Sequence, residues 1–339
     1  MPSVALRIVL AMNIELLRQG INQALDSQVK QYCATISDID VQLIPIANSL
    51  QEYLSEGKRF RPLFSLLGFL GANGELSANV YQAAAALEFL QASALIHDDL
   101  MDGSDTRRGK PAMHKQFGDA AAILIGDLAL VWNEQALHQS GLQSEALNEI
   151  HDIMRTELMA GQFLDVYEQT QKTYSVERSL KIARYKSGKY SIERPLHYGA
   201  ALAKPNNLNS YLSIYSEYGL PLGEAFQLRD DLLGVFGDPT ETGKPAGDDL
   251  REGKRTALIA YAYDRGDTAT QKLIDQKLGT EDIEGLTEAI EKSGAPTHVE
   301  DLIEKLAEES LDALERDELN QAAKTLLIQM VDVVTKRSR

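Results

Sequence analysis

Two acidic clusters, Asp98-Asp99-Leu100-Met101-Asp102 and Asp230-Asp231, each run into a loop rich in glycine and basic residues. Carboxylates three and four residues apart share one face of a helix, and hard oxygens of this kind are what Mg²⁺ takes when it also holds phosphate. The surroundings repeat too. Asp98-Asp99-Leu100 is followed by Asp102-Gly103 and Arg107-Arg108-Gly109-Lys110-Pro111, and Asp230-Asp231-Leu232 by Gly234 and Gly243-Lys244-Pro245. Acid, flexible turn, base is a sensible order for a metal-bridged diphosphate, because the metal needs anionic ligands and the remaining phosphate oxygens need cations. One Asp pair in a chain this acidic is as readily a solvated helix end. Two pairs with matching basic loops point to one site with two walls.

Other basic strings could serve such a site. Gly57-Lys58-Arg59-Phe60-Arg61-Pro62 sets three cations ahead of a helix, although alone it would read as a surface turn. Gly253-Lys254-Arg255-Thr256 looks like the end of a nucleotide P-loop, but five residues separate it from Gly247 where that motif has four. Gln227 lies about one turn before Asp230 and shares its face. Glu157, Gln162 and Asp165 fall in a helical stretch, where each alone is as readily a surface group. The six histidines show no His-Glu-x-x-His spacing, and no serine sits in a Gly-x-Ser-x-Gly elbow. Trp132 and the histidines read as core or surface groups.

Helical periodicity dominates the elements that must position these residues, as at Leu87, Leu90, Ala94 and Met101, while β-branched alternation is scarce. The chain reads as all-α, with helices expected over 12–35, 38–56, 59–72, 77–102, 117–140, 143–170, 175–190, 191–202, 207–233, 255–266, 268–277, 281–292, 297–313 and 317–336. Both acidic clusters then fall at helix C-termini, where the dipole already presents negative charge, so their placement calls for a bound cation. Length permits more than one domain, but no linker divides the chain, and residues 1–339 read as a single domain with 1–11 as a ragged extension.

The net charge of −16, from 34 basic and 50 acidic residues, argues against nucleic acid or anionic lipid as partner. An anionic substrate would need locally gathered Lys and Arg together with a divalent metal. No apolar run approaches the ~20 residues that span a bilayer, so no transmembrane segment is expected. The lone Cys33 leaves no internal disulfide, which suits a cytoplasmic address.

Taken together, these motifs resemble the trans-isoprenyl diphosphate synthases of the polyprenyl synthetase family, most nearly those that make geranylgeranyl diphosphate. Gly57 to Pro62, Asp98 to Pro111, Gly161-Gln162 with Asp165, Lys186-Ser187, Phe226 to Asp231, Gly243-Lys244 and Gly253 to Thr256 match in order and spacing over roughly residues 50–260. The resemblance implies a helical bundle around a deep central cavity, usually dimeric, that extends an allylic diphosphate of C5, C10 or C15 with isopentenyl diphosphate. It also implies three Mg²⁺ ions per site, held by Asp98, Asp102 and Asp230, with Asp99 and Asp231 in supporting roles. Arg107, Lys186, Lys244 and Lys254 would contact the allylic diphosphate. Lys58, Arg61, Gln91 and Arg108 would bind isopentenyl diphosphate, Gln91 standing where many relatives carry His. Ser187 and Gln227 would face the reacting carbon. Gly234 replaces a third Asp of the fullest second motif, and Ser187 replaces the commoner Thr.

The growing chain would run back along the helix ending in Asp98. Ser93 and Ala94, both small, would form a first floor one turn back, and Phe89 with Leu90 a second about 5 Å deeper, which suggests a C20 product. A longer-chain polyprenyl synthase is the alternative on the same chemistry. A class I terpene cyclase shares the Asp-rich motif but has no use for Lys58, Arg61 and Gln91. A non-catalytic partner subunit would be expected to lose aspartates that this chain keeps.

Overall fold

Ser77, Ser144, Ser175 and Thr256 each turn a hydroxyl onto the backbone N–H three residues ahead, and a helix starts after each of them. The computed structural model describes residues 13–171, 173–238, 246–316 and 318–337. In chain order the helices are α1 (Ile14–Ser37), α2 (Ile44–Ser55), α3 (Phe60–Gly71) and α4 (Ala78–Asp102). A hairpin of two-residue strands, β1 (Thr106–Arg107) and β2 (Lys110–Pro111), precedes α5 (Met113–Phe117), α6 (Asp119–Ser140), α7 (Glu145–Gln169) and α8 (Val176–Ile182). A π-helical segment, Ala183–Glu193, leads into α9 (Arg194–Ala203) and α10 (Leu208–Phe236). Then follow α11 (Asp248–Arg251), α12 (Ala257–Arg265), α13 (Thr268–Lys277), α14 (Leu286–Lys292), α15 (Ala295–Ala313) and α16 (Gln321–Thr335).

The all-α expectation holds, with β1 and β2 as the only strands among the described residues. Strands this short carry no periodic signal, so the hairpin was not foreseen. Nor was α11, a single turn. The two helices expected over 175–190 and 191–202 are instead one continuous run whose middle widens to π geometry. Apolar spacing is preserved on either side of such a bulge, which hides it from a 3.6-residue pattern.

Apolar side chains from α1 to α7, the π-helical segment, α9, α10 as far as Phe226, and α16 form the larger core. The second half of α10 packs with α12, α14 and α15 in a smaller one. Helix α10 therefore belongs to both cores, and its length carries the second acidic cluster between them. Helix α4 runs through the larger core with a run of alanines, Ala83 to Ala86, fully buried. Such small side chains let neighbouring helices approach closely and fix where its acidic end lies.

Helix α6 bears on the expectation that no transmembrane segment is present. By length and composition it could cross a membrane, the one such helix among the described residues. Here its inner side packs in the core, with Ala122, Ile125, Ala129 and Trp132 buried, while Leu124 and Val131 are exposed. Residues 1–11, read as a ragged extension, lie outside the described residues.

Candidate active site

The first wall is the last turn of α4. Gly103, in the left-handed region at φ 70°, stops the helix directly after Asp102. Asp98 Oδ1 accepts from Lys186 Nζ at 2.8 Å and from Gln162 Nε2 at 2.8 Å, and the same Nζ reaches Asp165 at 2.6 Å. Burial alone would raise the Asp98 pKa, but Lys186, Lys254 and Arg107 override it and hold the carboxyl well below the usual carboxylate range. Asp102 differs. Burial pushes it up, and the negative charges of Asp98 and Glu252 add to that push against Lys254, 3.1 Å away. Asp102 Oδ1 is buried with no hydrogen-bond partner. Asp99 turns inward, 1% exposed, where Arg107 Nε donates to both its oxygens at 2.9 and 3.1 Å.

The second wall is α10, one helical turn from its end. Asp231 is buried, and accepts from Gln227 Nε2 at 2.9 Å and from the Ala257 N–H at 3.1 Å. Burial, with Asp249 and Asp230 adding to it, lifts its pKa to about 7. Because Gln227 gives its amide nitrogen to Asp231, its amide oxygen is the end left for the cavity that Gln227 lines. Asp230 is paired with Arg337, whose guanidinium lies 4.1 Å from the Phe226 ring centre. At Gly234 a Cβ would come within 1.9 Å of Asp249 Oδ2. The carboxylate of Asp249 thus fills the space into which a third Asp of the motif would project.

Between the walls lies a cavity of about 1170 Å³. Of the residues singled out in the sequence, Lys58, Arg61, Gln91, Ala94, Asp98, Arg107, Arg108, Lys186, Ser187, Gln227, Asp230, Asp231 and Lys254 line it. Asp99 and Asp102 lie in the wall behind. Lys244 is outside the described residues. Among the four expected floor residues only Ala94 reaches the cavity. Ser93, Leu90 and Phe89 are fully buried, and the Phe89 ring packs 5.6 Å from Tyr32 and 6.0 Å from Trp132. On a helical wheel Phe89 sits nine positions from Asp98, half a turn round, so it faces away from the acidic side.

The basic residues are held from behind. Arg59, in a left-handed conformation at φ 60°, spends its donors on Asn22, Glu88 and the carbonyls of Leu54 and Glu56. It locks the turn that presents Lys58 and Arg61. Arg108 donates to the carbonyls of Tyr53 and Glu56. The π-helical segment contributes to both sides of the cavity, with Lys186 toward Asp98 and Ser191 Oγ accepting from Arg61 Nη2 at 2.7 Å. Behind it, Glu157 accepts from Lys189 and Arg194 at 2.7 Å each.

The donor set suits Mg²⁺. It consists of hard carboxylate oxygens, one of them buried without a partner, and two of the carboxyls are raised by burial and, after it, by neighbouring negative charge, both of which a divalent cation would offset. Among the described residues no three acidic, His or Cys side chains close on one point. An ion here would take its remaining oxygens from water and substrate phosphate, as Mg²⁺ commonly does.

Sequence reading missed Asp249, Glu252, Tyr190 and Arg337. Asp248-Asp249, then Gly253-Lys254-Arg255, repeats the order of acid, turn and base, and that rule applied a third time would have found Asp249. Nothing local marks Tyr190 or Arg337.

Two carboxylate walls and a basic rim enclosing one deep cavity within a helical bundle define an enzyme of metal-bridged diphosphates. The chain belongs to the polyprenyl synthetase family, whose model matches residues 45–293. It is a prenyltransferase, joining isopentenyl diphosphate to an allylic diphosphate. It is 33% identical to the geranylfarnesyl diphosphate synthase of Aeropyrum pernix, over 85% of this chain and 93% of that one. It is 32% identical to the geranylgeranyl diphosphate synthase of Saccharolobus solfataricus, over 78% and 82%. Its fold matches the crystal structure of Corynebacterium glutamicum geranylgeranyl pyrophosphate synthase complexed with isoprenyl diphosphate and magnesium. There the TM-score is 0.90 and the identity 39%, covering 96% of this chain and all of the other.

Proposed function

We propose that this chain is a Mg²⁺-dependent geranylgeranyl diphosphate synthase, with its site residues in the roles that the family pattern gives them and the described chain as one catalytic domain. The observation that carries the reading is Lys186, set between Asp98 and Asp165 in the lining of a large cavity with a second carboxylate wall opposite.

Asp98, Asp102 and Asp230 would hold the Mg²⁺ ions, three per site, with Asp231 behind them and Asp99 keeping Arg107 in place. Bound Mg²⁺ supplies electrophilic pull on the allylic diphosphate. Lys186, Arg107, Lys244 and Lys254 take the oxygens of that diphosphate. Lys58, Arg61, Gln91 and Arg108 hold isopentenyl diphosphate beside it. Ser187 and the amide oxygen of Gln227 turn dipoles toward the carbon on which positive charge develops. Leu95, Leu158 and Ile182 give the cavity apolar lining that keeps water from the cation. After the new carbon–carbon bond forms, a proton leaves and an allylic diphosphate one C5 unit longer results.

Leu124 and Val131 of α6 and Met159 and Phe163 of α7 are exposed apolar residues of the kind that a second copy of the chain would cover. Homodimerisation there predicts that Phe163→Lys gives monomers in light scattering. Purified protein given isopentenyl diphosphate, Mg²⁺ and each of the C5, C10 and C15 primers should accumulate C20. Longer products would make it a polyprenyl synthase, and no elongation would refute the reading.

A further inference from the structure

Tyr190 is buried, 2% exposed, yet it lines the cavity. Its hydroxyl donates to Gln91 Oε1 at 2.7 Å, and its ring lies beneath the guanidinium of Arg61, 4.1 Å from ring centre to Cζ. Arg61 is steadied further by Ser191 Oγ, on the same π-helical turn. Burial drives the phenol pKa well upward, so the hydroxyl keeps its proton.

The direction of the Tyr190 bond decides what Gln91 can do. With the phenol as donor, the amide oxygen is occupied, and the NH₂ is the end turned to the cavity. That nitrogen has no protein partner among the described residues. The reverse orientation would leave the phenol proton buried without an acceptor and aim a carbonyl oxygen at an anion. Both effects are unfavourable.

We propose that Tyr190 is a positioning residue for the isopentenyl diphosphate subsite: its hydroxyl fixes the Gln91 amide with the NH₂ toward the diphosphate, and its ring face holds the Arg61 guanidinium in place. The inference rests on the assignment of Gln91 and Arg61 to that subsite. It adds a reason why a neutral amide serves there. An amide can face an anion either way round, so a second group must select its donor end.

Tyr190→Phe removes the hydroxyl and keeps the ring, so packing and the Arg61 contact stay. In steady-state assays with saturating allylic diphosphate, KM for isopentenyl diphosphate should rise about five- to tenfold, the effect of one hydrogen bond. The value of kcat and KM for the allylic substrate should stay near wild type. Calorimetric titration with isopentenyl diphosphate alone should show the same loss of affinity. In a Gln91→Ala background the Tyr190→Phe change should add almost nothing, because the group that it orients is gone. Equal losses in both backgrounds, a fall in kcat instead of a rise in KM, or an unchanged KM would each overturn the role of Tyr190. If wild-type protein itself neither binds nor condenses isopentenyl diphosphate, the subsite assignment fails, and that outcome is distinct from a neutral Tyr190→Phe in an active enzyme.

Discussion

Replacing Lys186 with Met should expose how much the apo site depends on that one ammonium. Its Nζ sits 2.8 Å from Asp98 and 2.6 Å from Asp165, and the three side chains are 22%, 14% and 15% exposed. Removing one partner of a buried pair typically costs about 3–5 kcal/mol. The cavity still admits water to all three groups, which argues for the lower end, about 3 kcal/mol. At about 2.1 cal/mol/K of unfolding entropy per residue, each kcal/mol moves the Tm of this 339-residue chain by about 1.4 °C, so the variant should melt about 4 °C below wild type in metal-free buffer. Mg²⁺ added with inorganic diphosphate should raise the variant's Tm more than that of wild type, because Asp98 regains a cation. Turnover should drop by about 10²–10³, the usual loss on deleting a donor aimed at developing charge. Differential scanning calorimetry with and without metal, and single-turnover rates, are the assays. A variant that melts with wild type and turns over normally would show that Lys186 neither neutralises Asp98 nor meets substrate.

Three other outcomes follow from the geometry. Ala94→Phe puts a ring into the cavity one turn, about 6 Å, behind Asp98 and should shorten the main product toward C15, read by mass spectrometry of the dephosphorylated alcohols. Phe89→Ala should leave product length unchanged while costing about 3–5 kcal/mol of stability, since its ring is packed on Tyr32 and Trp132 rather than on the cavity. His197 and His151 are held neutral by burial, with pKa values lowered to about 3, and Arg194 and Arg155 respectively oppose their protonation further. Their contribution is complete above the unfolded value of 6.5 and declines as pH falls toward 3, each losing about 1.4 kcal/mol per pH unit; between pH 7 and 5 the urea midpoint of wild type should therefore fall further than that of His197→Gln, which keeps only one of the two groups.

The sequence was most informative where chemistry repeats along one helix face. Asp98 and Asp102, or Gln227 and Asp230, are placed by helical geometry alone, and the structure puts each group on one wall. Helix starts were legible for the same local reason, as at Ser77 and Ser144. Contacts between distant segments were not. Tyr190 meets Gln91 across 99 positions, and Arg337 meets Asp230 from just past the end of α16, where no motif marks it. Of the expected floor residues Ala94 alone lines the cavity, because small residues one turn back do not all share a face: Ala94 follows Asp98 around the wheel and Ser93 does not. The π bulge was illegible because it changes the register of a helix without changing its composition.

Gly234 and Asp249 carry a last consequence. Read as a string, the second motif is one carboxylate short; inside the cavity wall its charge is made up from fifteen positions further along the chain. The potential that a substrate meets is therefore encoded in two separate stretches, and either can drift only if the other compensates. A well-meant repair, Gly234→Asp, would drive its Cβ into the carboxylate of Asp249, 1.9 Å away. Swapping this motif with that of a relative carrying the full complement would require the Asp249 side chain to turn aside and would set two carboxylates in one space.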